Sequence, residues 1–392
     1  MSKWKSRTIK VLAVLSFLGG VLVLASIFEP TVDPELHEKL VSATPGEIEE
    51  LIAGETEKLE VTALSVTIVD GDDAPQTHYF GRASEGGLMQ AASLSKAVAA
   101  AVILLVAEQQ GVGLDDDIRA QITSLDVASL ESGNRPVTLR QLLSHTAGAS
   151  QASYAGYARD SEVPSTTKVL RNPPRLFEFQ LEFDGTPGEF RYSGGGYTLA
   201  QLWAEDVSGK RFAQVAEEQL FDPLGMTNSS FEQVIERRDV EPLSLIGADA
   251  GFDPTEGIFS SLRDSWHVYP EQAAAGLWTT SHDYARFAAA LLDAASGKEN
   301  AVPAAIASAM IGPQTETGYE PGSYYGLGLL LSMSKSGDLL DVSHSGANAG
   351  YRAYFIARPS APDTPRRAIV VIANTPSAAY LNKAIGAALL ER

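Results

Sequence analysis

The sequence predicts an α/β domain whose mixed layer is assembled from both chain ends and interrupted by a helical insertion. Two observations carry this. Runs rich in β-branched and aromatic residues lie near the two ends, and helical patterns broken by Pro and Gly fill the middle. No internal repeat of about 20–50 residues competes with this reading. At 392 residues the chain exceeds the usual size of one domain, which fits a large domain carrying an insertion. With 44% hydrophobic and 20% charged residues, the composition is globular, not collagenous, coiled-coil or disordered.

At the amino terminus, Val11 to Phe28 is an uninterrupted uncharged stretch. Its 18 residues would span about 27 Å as a helix, against a hydrocarbon core of about 30 Å. Lys3, Lys5, Arg7 and Lys10 precede it, whereas Glu29, Asp33 and Glu35 follow. By the positive-inside rule the remainder lies outside the cytoplasm, periplasmic or at the cell surface. Residues 1–28 are therefore either a signal peptide or a membrane anchor. Val23-Leu24-Ala25 offers a cleavage site, and the length favours the anchor.

Residues 29–56 are polar and Glu-rich and are expected to be a spacer with a short surface helix. Leu59–Val69 reads as a strand, followed by the turn Asp70-Gly71-Asp72-Asp73 and a second strand at His78–Phe80. Ser93–Gln109 reads as an apolar helix ended near Gly111. Thr138–Ser144, with Thr138 as N-cap, Tyr197–Val207 and Phe212–Leu220 are helical patterns within the insertion. Ser281–Asp293 is amphipathic, with Tyr284, Phe287 and Leu291 on one side. Strand patterns follow at Gly326–Met333, Leu339–Ser343, Tyr351–Ile356 and Ala368–Ile372, and Leu381–Leu390 closes the chain as a helix. The domain is thus expected over 57–392, with its α/β part at about 57–110 and 275–392 and the insertion at about 111–274.

Composition excludes several chemistries. Cysteine is absent, which removes disulfides, thiolate nucleophiles and Cys-ligated zinc. The net charge of −19 makes nucleic acid an unsuitable partner, since a phosphate backbone would be repelled. His37, His78, His267 and His282 show no metal-ligand spacing, and the triplet Asp115-Asp116-Asp117 reads as solvated. Gly194-Gly195-Gly196 lacks the context of a phosphate loop, and Gly-x-Ser-x-Gly is absent. No metal or cofactor is expected.

Three short elements remain, in order: Ser93-Leu94-Ser95-Lys96, Tyr192-Ser193-Gly194 and His344-Ser345-Gly346. Ser-x-x-Lys alone is weak, because it recurs at Ser2/Lys5, Ser165/Lys168 and Ser332/Lys335. Only Ser93 opens an apolar helix, with Lys96 three residues on along the same face. There the serine Oγ sits near the positive helix end, and a lysine in an apolar wall can lose its proton.

With these motifs the chain resembles the serine β-lactamase and penicillin-binding family in its class C-like branch, which also holds carboxypeptidases, D-amino-acid peptidases and esterases. The likeness extends over about residues 57–390. It includes Leu142-Leu143-Ser144-His145-Thr146-Ala147-Gly148, Pro187-Gly188-Glu189-Phe190-Arg191-Tyr192-Ser193, Pro223-Leu224-Gly225-Met226, Gly276-Leu277-Trp278-Thr279-Thr280 and Tyr325-Gly326-Leu327-Gly328. The resemblance implies an antiparallel sheet flanked by helices with an all-helical insertion. It implies an acylated nucleophile at Ser93, with Lys96 as general base or partner of that base and Tyr192 sharing proton transfer. His344 would orient Tyr192 or contact substrate. Backbone N–H groups of Ser93 and Ala347 would form the oxyanion hole, and Gly194, Ser345 and Gly346 would border the substrate.

Two decoys are set aside. Lys335-Ser336-Gly337 reads as a turn between strands, and Tyr380-Leu381-Asn382 falls after the His-Ser-Gly element and reads as surface helix. His145 is expected to stabilise its own loop, and Trp278 to be core. Two departures matter: Gly194 stands where the family has an Asn that binds a substrate amide, and His344 where it often has Lys. The expected function is a serine hydrolase acting on an ester or amide in a small-molecule or peptide-like substrate. A D-alanyl-D-alanine carboxypeptidase or weak β-lactamase is one alternative, and a non-catalytic, membrane-tethered sensor or binding domain is another.

Overall fold

A computed structural model describes residues 35–127, 135–159, 162–171, 179–235, 266–362 and 364–392. The apolar segment 11–28 and most of the stretch 241–270 lie outside the described residues. In chain order the main elements are α1 (Leu36–Ser42), α2 (Pro45–Lys58), β1 (Ala63–Asp70), β2 (Gln76–Gly81), α3 (Ser95–Gln110), α4 (Leu139–Leu143), α5 (Gly194–Ser208) and α6 (Ser281–Ala295). They continue with β3 (Thr315–Glu316), β4 (Ser323–Tyr325), β5 (Leu330–Met333), β6 (Leu339–Asn348), β7 (Tyr351–Arg358), β8 (Arg367–Ala373) and α7 (Ala379–Glu391).

The eight strands form one antiparallel sheet in the order β2-β1-β8-β7-β6-β5-β4-β3. The two chain ends meet where β1 pairs with β8, Leu64 opposite Ala373. Both faces of the sheet are covered, so its central strands are apolar on both sides instead of alternating with polar residues. Along β8, Ala368, Val370 and Ile372 enter the large core, which also holds α3 and α6. Ile369, Val371 and Ala373 enter a second cluster beneath α7, with Leu36, Leu40 and Ile52. Residues expected as spacer are therefore, from Leu36 on, two helices that roof the outer face. Their apolar positions are few and widely spaced among glutamates, which disguised the buried stripe.

Helix α3 is the centre of the molecule. Every residue from Ser95 to Ala107 is buried, and the helix stops at Gly111 in the left-handed conformation (φ 66°). By length and composition Ala92–Gln110 could cross a membrane, yet 83% of that window is buried within the protein. It is a core helix. Its alanines allow close approach, and Gly328 (φ 88°) exploits this, since a Cβ there would lie 2.9 Å from the Lys96 carbonyl. The corner between β4 and β5 is thereby held against the first turn of α3.

Other expectations differ in detail. Strand β6 runs on through His344, Ser345 and Gly346 to Asn348, past the expected end at Ser343. Ser334–Asp338 makes the turn between β5 and β6, as expected for the Lys335-Ser336-Gly337 decoy, with Ser334 N–H donating to Asp338 O at 2.8 Å. Thr138 caps α4 through a reciprocal box with Gln141. Trp278 is core, edge-on to Trp266 and Tyr351.

Candidate active site

Ser93 does not open α3. It lies in a 3₁₀ turn, Ala92–Leu94, immediately before it. Ala92 is held at φ 50°, a conformation unfavourable for a residue with a Cβ, and this sharp bend turns Ser93 outward from the core. Ser95 fixes the bend: its hydroxyl donates to Ala92 O and accepts from Leu277 N–H at 2.9 Å. The third element approaches from the sheet. A Cβ on Gly346 would lie 2.4 Å from Ala91 O and 3.1 Å from Ser93 N, so only glycine lets β6 run this close to the nucleophile's turn. Asn348 anchors the strand by donating to Gln90 Oε1 at 2.8 Å and Ala275 O at 3.0 Å.

Lys96 is buried in the first turn of α3, 2% exposed. Its Nζ is 3.2 Å from Ser93 Oγ and donates to Ala274 O at 2.7 Å. It also lies 4.9 Å from the centre of the Tyr192 ring. Burial strips the ammonium of water and pulls its pKa down to about 7. Burial holds the Tyr192 pKa well above the ordinary phenol value, and the neighbouring Ser93 hydroxyl offsets part of the rise. Near neutral pH, Lys96 is thus poised to exchange a proton, and Tyr192 is a phenol.

His344 is neutral. Burial first, and the Lys96 charge second, lower its pKa to about 3. Its Nδ1 faces Ser345 O at 2.7 Å and therefore carries the proton; Nε2, 3.1 Å from the Tyr325 hydroxyl, is the acceptor. Both ring nitrogens are engaged with the protein, so His344 offers neither a cation nor a base to a substrate. In the sequence, Tyr325 stands out only as the first residue of Tyr325-Gly326-Leu327-Gly328.

The cleft over Ser93 has a volume of about 500 Å³. Ser93, Tyr192, His344, Ser345, Gly346 and Ala347 all line it, so the three elements converge with both proposed oxyanion residues. Gly194 does not line it. A Cβ on Gly194 would meet Ala152 O at 3.1 Å and the Tyr154 ring at 3.2 Å, so the space a longer side chain would need is already filled. The outer wall holds residues the motifs did not reveal: Tyr319, Arg352, Tyr380 and Lys383. Tyr380, set aside as surface helix, is indeed 66% exposed, but it stands at the rim. Among the described residues, no Asp or Glu lines the cleft, although the chain has 49.

His145 lies inside this assembly although its motif is remote in sequence. Its ring is 4.4 Å from the Tyr192 ring and 4.6 Å from that of Tyr325. It does tie its own loop, as expected, but that loop is laced to the segment carrying Tyr192.

A family model described as Beta-lactamase matches residues 48–390. The chain belongs to the beta-lactamase family. Ser93, Lys96, Tyr192 and His344 all fall inside the match. Among curated proteins the chain is similar to lovastatin esterase of Penicillium rubens, 26% identical over 184 residues, 43% of this chain and 44% of that protein. It spans less than two thirds of the length of the curated relatives it matches. Among solved structures it is similar to an octameric penicillin-binding protein homologue from Pyrococcus abyssi, with TM-score 0.67, 23% identity and coverage of 88% of this chain and 76% of that one. It is also similar to a D-amino acid amidase from Ochrobactrum anthropi, with TM-score 0.66, 19% identity and coverage of 88% and 97%. These likenesses establish the mixed α/β fold with its large antiparallel sheet.

The burial of Lys96 has a consequence for stability. Between pH 7 and the ordinary lysine value of 10.5, the unfolded chain keeps a proton that the folded protein has released. Stability therefore rises with pH in that window, by about 1.4 kcal/mol per pH unit. Lys96→Met lacks this contribution. Urea unfolding should show wild type gaining about 3 kcal/mol relative to the variant between about pH 7 and 9.5. A constant difference would contradict a depressed Lys96.

Proposed function

We propose that the protein is a serine hydrolase that cleaves an ester or amide through an acyl-enzyme on Ser93. One observation carries this reading: the cleft-facing Ser93 hydroxyl lies 3.2 Å from the Nζ of a buried Lys96 with a pKa near 7, and the Tyr192 phenol lines the same cleft beside that lysine. Neutral Lys96 takes the Ser93 proton as Oγ bonds to the scissile carbonyl carbon. The resulting oxyanion is held by the Ser93 and Ala347 backbone N–H groups. When the tetrahedral species collapses, Tyr192 gives its proton to the departing oxygen or nitrogen and is reprotonated from the Lys96 ammonium. Water then enters by the same route in reverse, releasing the acid and freeing Ser93. No step calls for a metal or cofactor.

The occupied space at Gly194 and the neutral His344 weigh against efficient β-lactam hydrolysis and favour esterase or peptidase chemistry. Lys383, in a cleft wall with no acid among the described residues, favours a small substrate bearing a negative group away from the scissile bond. The relatives named as an esterase and an amidase are compatible with both bond types. Residues 11–28 support an extracytoplasmic location, secreted or anchored.

The test is a fluorophosphonate probe followed by short-chain esters, D-amino-acid amides and a fluorescent penicillin. We expect the probe to label Ser93 and esters to turn over. Stable penicillin labelling with poor ester turnover would shift the reading to a peptidoglycan carboxypeptidase. An unlabelled Ser93 with no turnover would favour a binding or sensor domain.

A further inference from the structure

We infer that His145 is a positioning residue for Tyr192, acting as a neutral hydrogen-bond acceptor at Nδ1. The inference rests on the hydrolase reading, because it concerns how that proton donor is held. Ser193 N–H donates to His145 Nδ1 at 3.1 Å. A donor on that side requires a lone pair on Nδ1, so the proton of the neutral ring sits on Nε2. Ser193 follows Tyr192 directly and caps α5, its Oγ accepting from Gly196 N–H at 3.0 Å. The imidazole therefore grips the chain at the junction between Tyr192 and its helix.

Further contacts make the grip rigid. Arg191 N–H donates to His145 O at 2.8 Å, so the residues on both sides of Tyr192 are tied to His145. The His145 ring lies against Tyr192, Tyr197, Tyr325 and Phe190, with centroid separations of 4.4, 5.2, 4.6 and 5.9 Å. Tyr325 in turn holds His344. One buried ring thus links the Tyr192 segment to the strand that brings His344, Gly346 and Ala347 to the cleft. His145 is also at φ 61°, in the left-handed region where Asn, Asp and His occur more often than other residues with a side chain.

The chemistry offers a discriminating set of variants. Asparagine places Oδ1 near the position of Nδ1 and tolerates positive φ. Glutamine places its oxygen nearer the position of Nε2, and leucine keeps bulk without an acceptor. With ethyl acetate as the probe, His145→Leu and His145→Gln should lose about 10–100-fold in kcat, with KM within about twofold, whereas p-nitrophenyl acetate should lose no more than about tenfold. His145→Asn should recover most of that loss. Because His145→Leu can also impair folding, the wild-type protein supplies an independent readout through ¹⁵N-histidine NMR. His145 should appear as the Nε2–H tautomer with an acceptor Nδ1 at pH 7–8. Equal activity of the Asn, Gln and Leu variants, or an Nδ1–H tautomer, would overturn the inference. If wild-type Ser93 resists the fluorophosphonate probe, the hydrolase reading itself fails. If Ser93 is labelled and the three variants behave alike, only the role of His145 falls.

Discussion

Lys96→Met should lower kcat/KM for ester hydrolysis by about 10³-fold or more while leaving a folded protein. The expectation follows from the absence of a substitute base in the described site. His145 Nδ1 is engaged by Ser193 N–H, and both nitrogens of His344 are engaged by Ser345 O and the Tyr325 hydroxyl. Tyr192 is a phenol whose pKa is raised by burial. Methionine nearly matches lysine in shape, so the apolar wall around the side chain survives. Steady-state kinetics beside a thermal melt separates chemistry from folding. A loss below about tenfold would show that Ser93 is activated by another group.

Tyr192→Phe should have the second largest effect, and that effect should depend on the leaving group. Phenylalanine keeps the ring packed on His145 and deletes only the hydroxyl in the cleft beside Ser93. An ethyl ester expels a strongly basic alkoxide that needs a proton, so its kcat should fall about 10²–10⁴-fold. A p-nitrophenyl ester expels a stable phenolate and should lose about tenfold or less. Equal losses for both esters would remove Tyr192 from the role of leaving-group acid.

Much of this was legible in the chain, and what was not has identifiable physical reasons. The β-branched runs that became β1, β7 and β8 are fully enclosed strands, whose composition alone marks them. The end of β6 was hidden because His344-Ser345-Gly346-Ala347-Asn348 reads as polar loop; its extended form follows from pairing with β7, Ser345 opposite Tyr354 and Ala347 opposite Arg352. Ser93 and Lys96 were visible as a pair, but not the strained Ala92 that turns the serine outward, since positive φ at alanine leaves no mark in sequence. His145 lies far along the chain from both Lys96 and Tyr192, so its contact with Tyr192 does not show in the linear order. The Thr138/Gln141 capping pair of a short helix, Leu139–Leu143, with Gly148 soon after it, was the available signal that the chain turns there. The cleft rim, Tyr319 with Arg352 and Lys383, joins three segments far apart in the chain and follows only from sheet order.

Acylation of Ser93 with Lys96, of pKa near 7, as the base is the central step. The most direct measurement is the rate of Ser93 modification by a neutral fluorophosphonate as a function of pH, with the labelled residue located by peptide mass spectrometry. Only neutral Lys96 can accept the serine proton. The rate should therefore rise about tenfold per pH unit in acid and level off above about pH 7, with all label on Ser93 and none taken up by Ser93→Ala. Label on another residue, unchanged labelling of Ser93→Ala, or a rate flat from pH 5 to 9 would contradict it.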